Sequence, residues 1–522
     1  MKKKYYITTP IYYVNDRPHI GHSYTTIAAD VLARYQSSTG RDVYFLTGTD
    51  EHGIKICNAA AECNITPGEL ADEVVVHFRK LWERLDIRYD DFIRTSQDRH
   101  RKRVQILVER LLKRGEIYLG KYDGWYDESE EEYVTENTAR ENDYKSQISD
   151  RPLVRHSEEG YFFRLGRWVP RLIEYIETHP DFILPVSRRN EVISKLKLGV
   201  EDLCISREAS KLMNWGIPMP NDPRHSVYVW LDALSNYITA LGYPPIDDGE
   251  KDCFNTYWPV DVHLIGKDIL WFHAVYWPCL LMALEVPLPI TIFAHGWWMN
   301  MGKKMSKSLG NFISNEYIER ICDEYSVDYY RYFLLRSVKF GDDGNFSGER
   351  LIETYNTELA NGIGNLLSRT VKMIEKYRSG IIDPPRVDGV GPEEREVIAS
   401  ANQLIRLSAE YMDKFEFQSY INEIIKLETT TNRYIEKTQP FKLAKDDSRE
   451  ERLSEILSTC AEAVRIILLY LRPIMPKKAD EGLDMLGVVS KDGNGYKLPP
   501  EWGEYRWNRP VRKGPPLFPK RK

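Results

Sequence analysis

Cysteine is sparse in this chain: seven in 522 residues, an odd number with no CxxC pair among them. That count argues against a disulfide framework and against a thiolate zinc site. Long apolar runs are missing too. The best candidate, Cys279 to Met301, is interrupted by Glu285, Pro287, Pro289 and His295, so no helix of about 18 or more apolar residues is available to span a bilayer. Met1-Lys2-Lys3-Lys4 has the charge of a leader, but Thr8, Thr9, Pro10 and Asn15 spoil the apolar segment a leader needs. Internal repeats and low-complexity stretches are absent. Charge of one sign is not in excess either: 72 basic against 78 acidic groups leaves −6, which by itself names no nucleic acid partner. With 42% apolar residues the chain can bury a core, so wholesale disorder is excluded. These absences together predict a soluble, cytoplasmic, globular protein of about three or four structural units.

The first fifty residues carry a clear pattern. Tyr5 to Thr9 predicts a short strand and a Pro- and Asn-containing loop after it. From Ser23 the apolar positions Tyr24, Ile27, Ala28, Val31, Leu32 and Tyr35 recur at helical spacing, and Gly40 ends the run. Val43 to Thr47 predicts a second strand, ending at Gly48-Thr49-Asp50. Strand, helix and strand over this distance open a doubly wound parallel α/β sheet, whose ligands bind at the carboxyl ends of its strands. Both the loop before Ser23 and Asp50 then face one crevice. At the mouth of the helix stands His19-Ile20-Gly21-His22. Glycine admits close backbone approach, a helix start favours anions, and two imidazoles three apart can donate to phosphate oxygens. Downstream, after another predicted strand at Thr291 to Phe293, comes Lys304-Met305-Ser306-Lys307-Ser308, with lysines on a short loop suited to gathering phosphate charge.

The pair His19-Ile20-Gly21-His22 and Lys304-Met305-Ser306-Lys307-Ser308 resembles the two signatures of class I aminoacyl-tRNA synthetases. The flanking words narrow the resemblance to the methionyl-tRNA synthetase family: Thr8-Thr9-Pro10-Ile11-Tyr12-Tyr13-Val14-Asn15, Gly48-Thr49-Asp50-Glu51-His52-Gly53, Tyr228-Val229-Trp230-Leu231-Asp232-Ala233, His263-Leu264-Ile265-Gly266-Lys267-Asp268 and His295-Gly296-Trp297. It runs from about Tyr6 to Lys520. The resemblance implies activation of L-methionine with ATP to an adenylate and transfer to the terminal adenosine of tRNA(Met), initiator tRNA included, with Mg²⁺ arriving on the ATP. It implies His19 and His22 on the phosphates, Lys304 and Lys307 on the pyrophosphate side, and Gly266 and Asp268 at the nucleotide. It assigns the methionine ammonium to Asp50 and its side chain to Ile11, Trp230, Ala233, Leu234, Tyr237, His273 and Trp277. An aromatic lining suits a thioether, which offers a polarizable sulfur and no strong hydrogen-bonding group. Such a pocket discriminates by shape, about 1–3 kcal/mol per methylene, so homocysteine is expected to enter.

Read on this template, residues 1–115 and 224–347 form the catalytic domain, 116–223 an inserted connective segment, 348–490 an all-helical anticodon-binding bundle, and 491–522 a basic tail. Many relatives carry a zinc knuckle in the insertion. Here Asp127 and Glu130 stand where one CxxC would be, and Ser146 and Ser149 where the other would be, a poor tetrahedral set, so no structural zinc is expected. In the bundle, Ile363, Leu366, Leu367, Val371 and Ile374 make one apolar stripe. Ile424, Ile425 and Leu427 belong to a second, and Ile456 to Leu471 to a third. Asn365 and Arg369 share a helix face and, by resemblance, read anticodon bases. Phe441 follows Pro440 where the family has tryptophan; it retains a stacking face, and Tyr434 is a neighbour able to compensate. The last 17 residues hold seven basic groups and no acidic one, which on composition alone reads as a solvated tail. The lack of the further domain that many relatives carry points to a monomer. Editing synthetases for branched amino acids need an insertion much longer than about 110 residues. A nucleotidyltransferase sharing the histidine motif leaves the bundle unexplained, and a noncatalytic RNA-binding descendant leaves the four intact motif side chains unexplained.

Overall fold

Alternate residues of the first strands are buried on opposite sides, so a layer must cover each face of the sheet they form. In a computed structural model, described for residues 3–15, 17–128, 132–134, 136–247, 249, 252–300, 303–304, 313–488, 497–507 and 509–521, that is what is seen. Tyr5, Ile7, Phe45, Leu264 and Phe293 belong to one core, while Tyr6, Leu46, Ile265, Ile292 and Ala294 belong to the other. Both faces being apolar is the mark of a parallel sheet covered on both sides.

The elements in chain order are β1 (Lys4–Tyr13), α1 (Ile20–Ser38), β2 (Asp42–Asp50), β3 (Asp91–Arg94), α2 (Asp98–Lys113), β4 (Ile117–Asp127), β5 (Val154–Phe163), β6 (Ile183–Leu184), α3 (Val229–Thr239), β7 (Val262–Gly266) and β8 (Thr291–His295). The helices α4 (Val327–Ser337), α5 (Gly364–Arg378), α6 (Pro392–Asp413), α7 (Phe417–Thr438), α8 (Glu450–Leu471) and α9 (Pro476–Met485) follow, with further helices and strands between those named. The main sheet has order β3-β2-β1-β7-β8-β6, and every pairing is parallel. The chain winds outward from β1 in one direction to β3, then returns to β1's other side at β7. The crevice between β1 and β7 is therefore a topological switch point.

The first strand runs past the proline expected to end it. Its register against β2 shifts between Thr8 and Ile11, where Thr9 Oγ1 donates to Pro10 O at 2.8 Å. A bulge accommodates a residue that cannot donate to the ladder, and pairing resumes as far as Tyr13 with Asp50. Within the expected insertion, β4 and β5 form an antiparallel pair. The short β6 instead joins the main sheet, with Ile183 against Ile292.

The helical region packs around α8, which is buried almost continuously from Ile456 to Leu471. Ile363, Leu366, Leu367, Val371 and Ile374 are all buried, as the stripe requires. One core cluster runs without a break from α1 through α4 into this bundle. The basic C-terminal stretch is not solvated along its length: Leu498, Trp502, Val511, Leu517 and Phe518 are buried. Leu498 N donates to Ser38 O, Val511 N to Gly380 O and Arg512 N to Met485 O, and Asn356 exchanges two hydrogen bonds with the Arg521 backbone. Counting charges missed these apolar anchors, which strap the segment across the bundle.

Candidate active site

Helix α1 starts three residues earlier than its apolar spacing indicates, because His19 caps it. His19 Nδ1 accepts from Gly21 N at 3.0 Å, and His22 Nδ1 accepts from His19 N at 3.1 Å, a reciprocal capping box built from two imidazoles. With both Nδ1 atoms acting as acceptors, the proton of each ring sits on Nε2, which makes both side chains N–H donors. The rings are 3.9 Å apart between centroids, and Tyr12 meets His22 edge-on at 4.8 Å. Burial, then the neighbouring His19, hold the His22 imidazole well below its usual range. A Cβ on Gly21 would lie 2.9 Å from His19 Cε1, so glycine is what lets the His19 ring fold back onto the helix start. The arrangement presents neutral N–H donors at a helix N-terminus, a site for phosphate oxygens.

Asp50 ends β2 and is buried. Burial pushes the Tyr237 hydroxyl up; a hydrogen bond with Asn236 opposes this, and Tyr12 and Asp50 add smaller upward effects. Ile11 is partly buried against the same core as Leu234, Tyr237 and Trp277, and Ala233 is buried as well. Trp230 lies flat on Phe272, centroids 3.6 Å apart, and meets His273 edge-on at 6.5 Å. Tyr237 is 6.0 Å from Trp277, and its hydroxyl bonds His273 Nε2 at 2.7 Å. His273 Nδ1 donates to Ile269 O, so Nε2 accepts the tyrosine proton. Burial lowers His273 to about 4, against smaller raising effects from the Ile269 carbonyl and Asp268. The sign follows: the folded chain binds this proton less readily than an unfolded one, so the stability that depends on the neutral ring is full above about pH 6.5 and is lost as pH falls toward 4. The pocket's affinity for the amino acid that the sequence resemblance implies, followed by tryptophan fluorescence, is expected to stay flat from about pH 8 to 5. A midpoint near that of an ordinary histidine would contradict the assignment.

On the other side of the switch point, β7 ends at Gly266. A Cβ there would fall 2.5 Å from Asp268 Oδ1, so only glycine leaves the strand end open. Asp268 Oδ1 accepts from Trp297 Nε1 at 3.1 Å, and Lys267 is paired with Asp343 at 2.7 Å while lying over the Trp297 ring. His295, ending β8, donates from Nδ1 to Gly296 O and takes the Thr25 hydroxyl at Nε2, 2.6 Å away, tying β8 to α1. The backbone of Lys304 lies in a two-residue strand paired with Met299. Lys307 lies outside the described residues.

Asn365 is exposed on α5, with Arg369 one turn on. Arg369 reaches α7, 3.2 Å from Asn432 Oδ1 and 3.5 Å from Glu436 Oε1. Phe441 follows in the short helix after α7 and is 43% exposed, a large aromatic open to solvent. Tyr434 is not available to compensate for a smaller ring: it is buried and donates to Glu394 Oε1. In the insertion, Asp127 and Ser146 are buried, and Ser146 Oγ accepts from Ile148 N and Ser149 N in a tight turn. Glu130 lies outside the described residues. Among the described residues no three His, Cys, Asp or Glu side chains gather as a metal-holding group.

Reading the sequence alone missed one cluster. Asp232, on α3, is fully buried and accepts from His52 Nδ1 and from His100 Nε2, each at 2.6 Å. Burial works to raise this carboxyl, but the two imidazoles outweigh it and hold it below its usual range. Asp232 and His52 stood inside quoted motifs. His100, on α2, had no sequence signal. A cavity of about 340 Å³ opens beside His52, between insertion and catalytic body, with Tyr126, Arg207, Lys211 and Tyr228 in its walls.

Two family models match the chain. The family described as tRNA synthetases class I (M) matches residues 5–142 and 139–371, and the anticodon-binding domain of tRNA ligase matches 394–491. The chain is 47% identical over 520 residues to a methionine–tRNA ligase of Caldanaerobacter subterraneus, covering 100% of this chain and 79% of that one. It is 46% identical to the methionine–tRNA ligase of Rickettsia felis, covering 94% of both. Among solved structures it matches Mycobacterium tuberculosis methionyl-tRNA synthetase bound by methionyl-adenylate, with a TM-score of 0.90, 37% identity, and 99% and 100% coverage.

Proposed function

Since this chain belongs to the methionyl-tRNA synthetase family and charges tRNA with methionine at the expense of ATP, we propose that the groups gathered at the carboxyl ends of β1, β2, β7 and β8 carry both half-reactions. In the first, the methionine carboxylate attacks the α-phosphorus of ATP in line and pyrophosphate departs. The nucleophile is already an anion, so no protein base is needed, and the protein contributes position and electrostatics. His19 and His22 donate their Nε2 protons as hydrogen bonds to phosphate oxygens. Lys304 and Lys307 offset charge on the departing pyrophosphate, and Mg²⁺ enters as part of the ATP substrate. Asp50 takes the methionine ammonium, and Ile11, Trp230, Ala233, Leu234, Tyr237, His273 and Trp277 surround its thioether. Gly266 leaves room for the adenosine, whose ribose donates to Asp268. In the second half-reaction a hydroxyl of the terminal adenosine of tRNA attacks the adenylate carbonyl and AMP leaves. Asn365, Arg369 and Phe441 read the anticodon of tRNA(Met), initiator tRNA included.

The observation that carries this reading is the meeting of two N–H-donating imidazoles with a buried carboxylate and an aromatic pocket at one switch point. ATP–pyrophosphate exchange with each of the twenty amino acids tests it, on the unaltered chain and on Lys307→Ala. Exchange is expected with methionine, and to fall at least about 10²-fold in the variant. Exchange with a different amino acid would overturn the pocket assignment, and an unimpaired variant would overturn the role of Lys307.

A further inference from the structure

Helix α3 has two working faces. At about 100° per residue, Trp230, Ala233, Leu234 and Tyr237 fall on one arc and Asp232, Ser235, Asn236 and Thr239 on the opposite one. The second arc is polar yet entirely buried. Ser235 and Asn236 bond back to Leu231 O and Ala233 O, but the other two reach outside the helix: Asp232 binds His52 and His100, and His100 Nδ1 meets Thr239 Oγ1 at 2.7 Å. His100 thus clasps the helix near both of its ends. His52 lies two residues beyond Asp50. The intervening Glu51 is anchored as well, accepting from Arg94 Nε and Thr49 Oγ1, while its N–H donates to Thr95 Oγ1. Trp215, from the insertion, donates to Glu51 O and meets the His52 ring edge-on at 5.5 Å.

We propose that Asp232 is a positioning residue for methionine activation: through His52 it sets the distance between the carboxylate that takes the ammonium and the helix face that takes the side chain. A substrate held at both ends has its own carboxylate aimed by that distance. A helix free to shift against the Asp50 loop lets go of one end or the other. A buried carboxylate serves here because each of its two oxygens accepts from one imidazole, Oδ2 from the loop and Oδ1 from α2, where an amide would turn its NH2 toward one of the donors. The inference rests on Asp50 and α3 binding methionine.

The test is ATP–pyrophosphate exchange with Asp232→Asn, His52→Ala and His52→Asn, and with Asp50→Asn alongside. Loss of a charge-assisted bond at this position is expected to raise KM for methionine about tenfold in Asp232→Asn and His52→Ala, with KM for ATP unchanged. Asparagine at 52 places an amide where Nδ1 was, so His52→Asn is expected to lie nearer the unaltered chain than His52→Ala. A role confined to folding predicts a smaller active fraction with both KM values intact, and that result overturns the proposal. So does equal behaviour of the two His52 variants, which decides the matter if Asp232→Asn does not fold. If Asp50→Asn itself leaves KM for methionine unchanged, the reading of Asp50 fails and takes the proposal with it. If only Asp50→Asn raises it, the proposal fails alone.

Discussion

His22→Ala is expected to lower kcat for methionine activation about 10²- to 10³-fold, the usual cost of removing one oriented donor from a developing anionic centre. KM for methionine should hardly move, because the pocket lies on other elements. The capping geometry allows a sharper version. His22 Nδ1 accepts from His19 N, and the ring proton is on Nε2. Asparagine can reproduce the Nδ1 acceptor but not the Nε2 donor, whereas glutamine extends a donor to the Nε2 position. His22→Asn should therefore keep α1 capped and be as slow as the alanine variant, while His22→Gln recovers part of the rate. Pyrophosphate exchange and a thermal melt on all three separate catalysis from helix capping. An asparagine variant as fast as the unaltered chain would mean that the histidine acts only as a cap.

The second large effect is on stability. Arg331, on α4, is completely buried and binds Asp30 Oδ2 at 2.6 Å, Ile474 O at 2.8 Å, Pro473 O at 3.1 Å and Leu85 O at 3.2 Å. Asp30 is equally buried, on α1, and also accepts from Arg34 Nε and Arg88 N. Burial works to raise the Asp30 carboxyl, but Arg331 and Arg34 outweigh it and hold it below its ordinary value. One guanidinium therefore joins the catalytic helix, α4 and the turn between α8 and α9. Arg331→Met strands three carbonyls, takes one of the three donors from the Asp30 carboxylate, and should cost about 3–5 kcal/mol, read as a lower denaturation midpoint. Asp30→Asn combined with Arg331→Met should cost less than the sum of the single changes, because the second removes a charge the first has left exposed to apolar surroundings. Strict additivity in urea unfolding would show that the two groups do not act as a pair.

Short-range periodicity and local words carry what is legible in the amino-acid order alone. The strand–helix–strand opening, the apolar arc of α3 and the three stripes of the bundle are each built from pieces of a few turns or a single strand. In each of them burial on one face leaves a repeat of 2 or about 3.6 that can be counted directly. Even there, Pro10 and the helix start were misjudged, because a bulge and an imidazole cap lie outside the ordinary signals. Tertiary structure decided the rest. Ile183–Leu184 becomes a strand only because β8 offers an edge, and the basic C-terminal stretch is buried only because the bundle offers grooves for Trp502 and Phe518. Tyr434 is held in the interior by Glu394, forty residues away, and Asp232 meets His52 and His100 across 180 and 132 residues. A polar group buried that far from its partner in the chain is matched by geometry alone, and no spacing in the sequence records it.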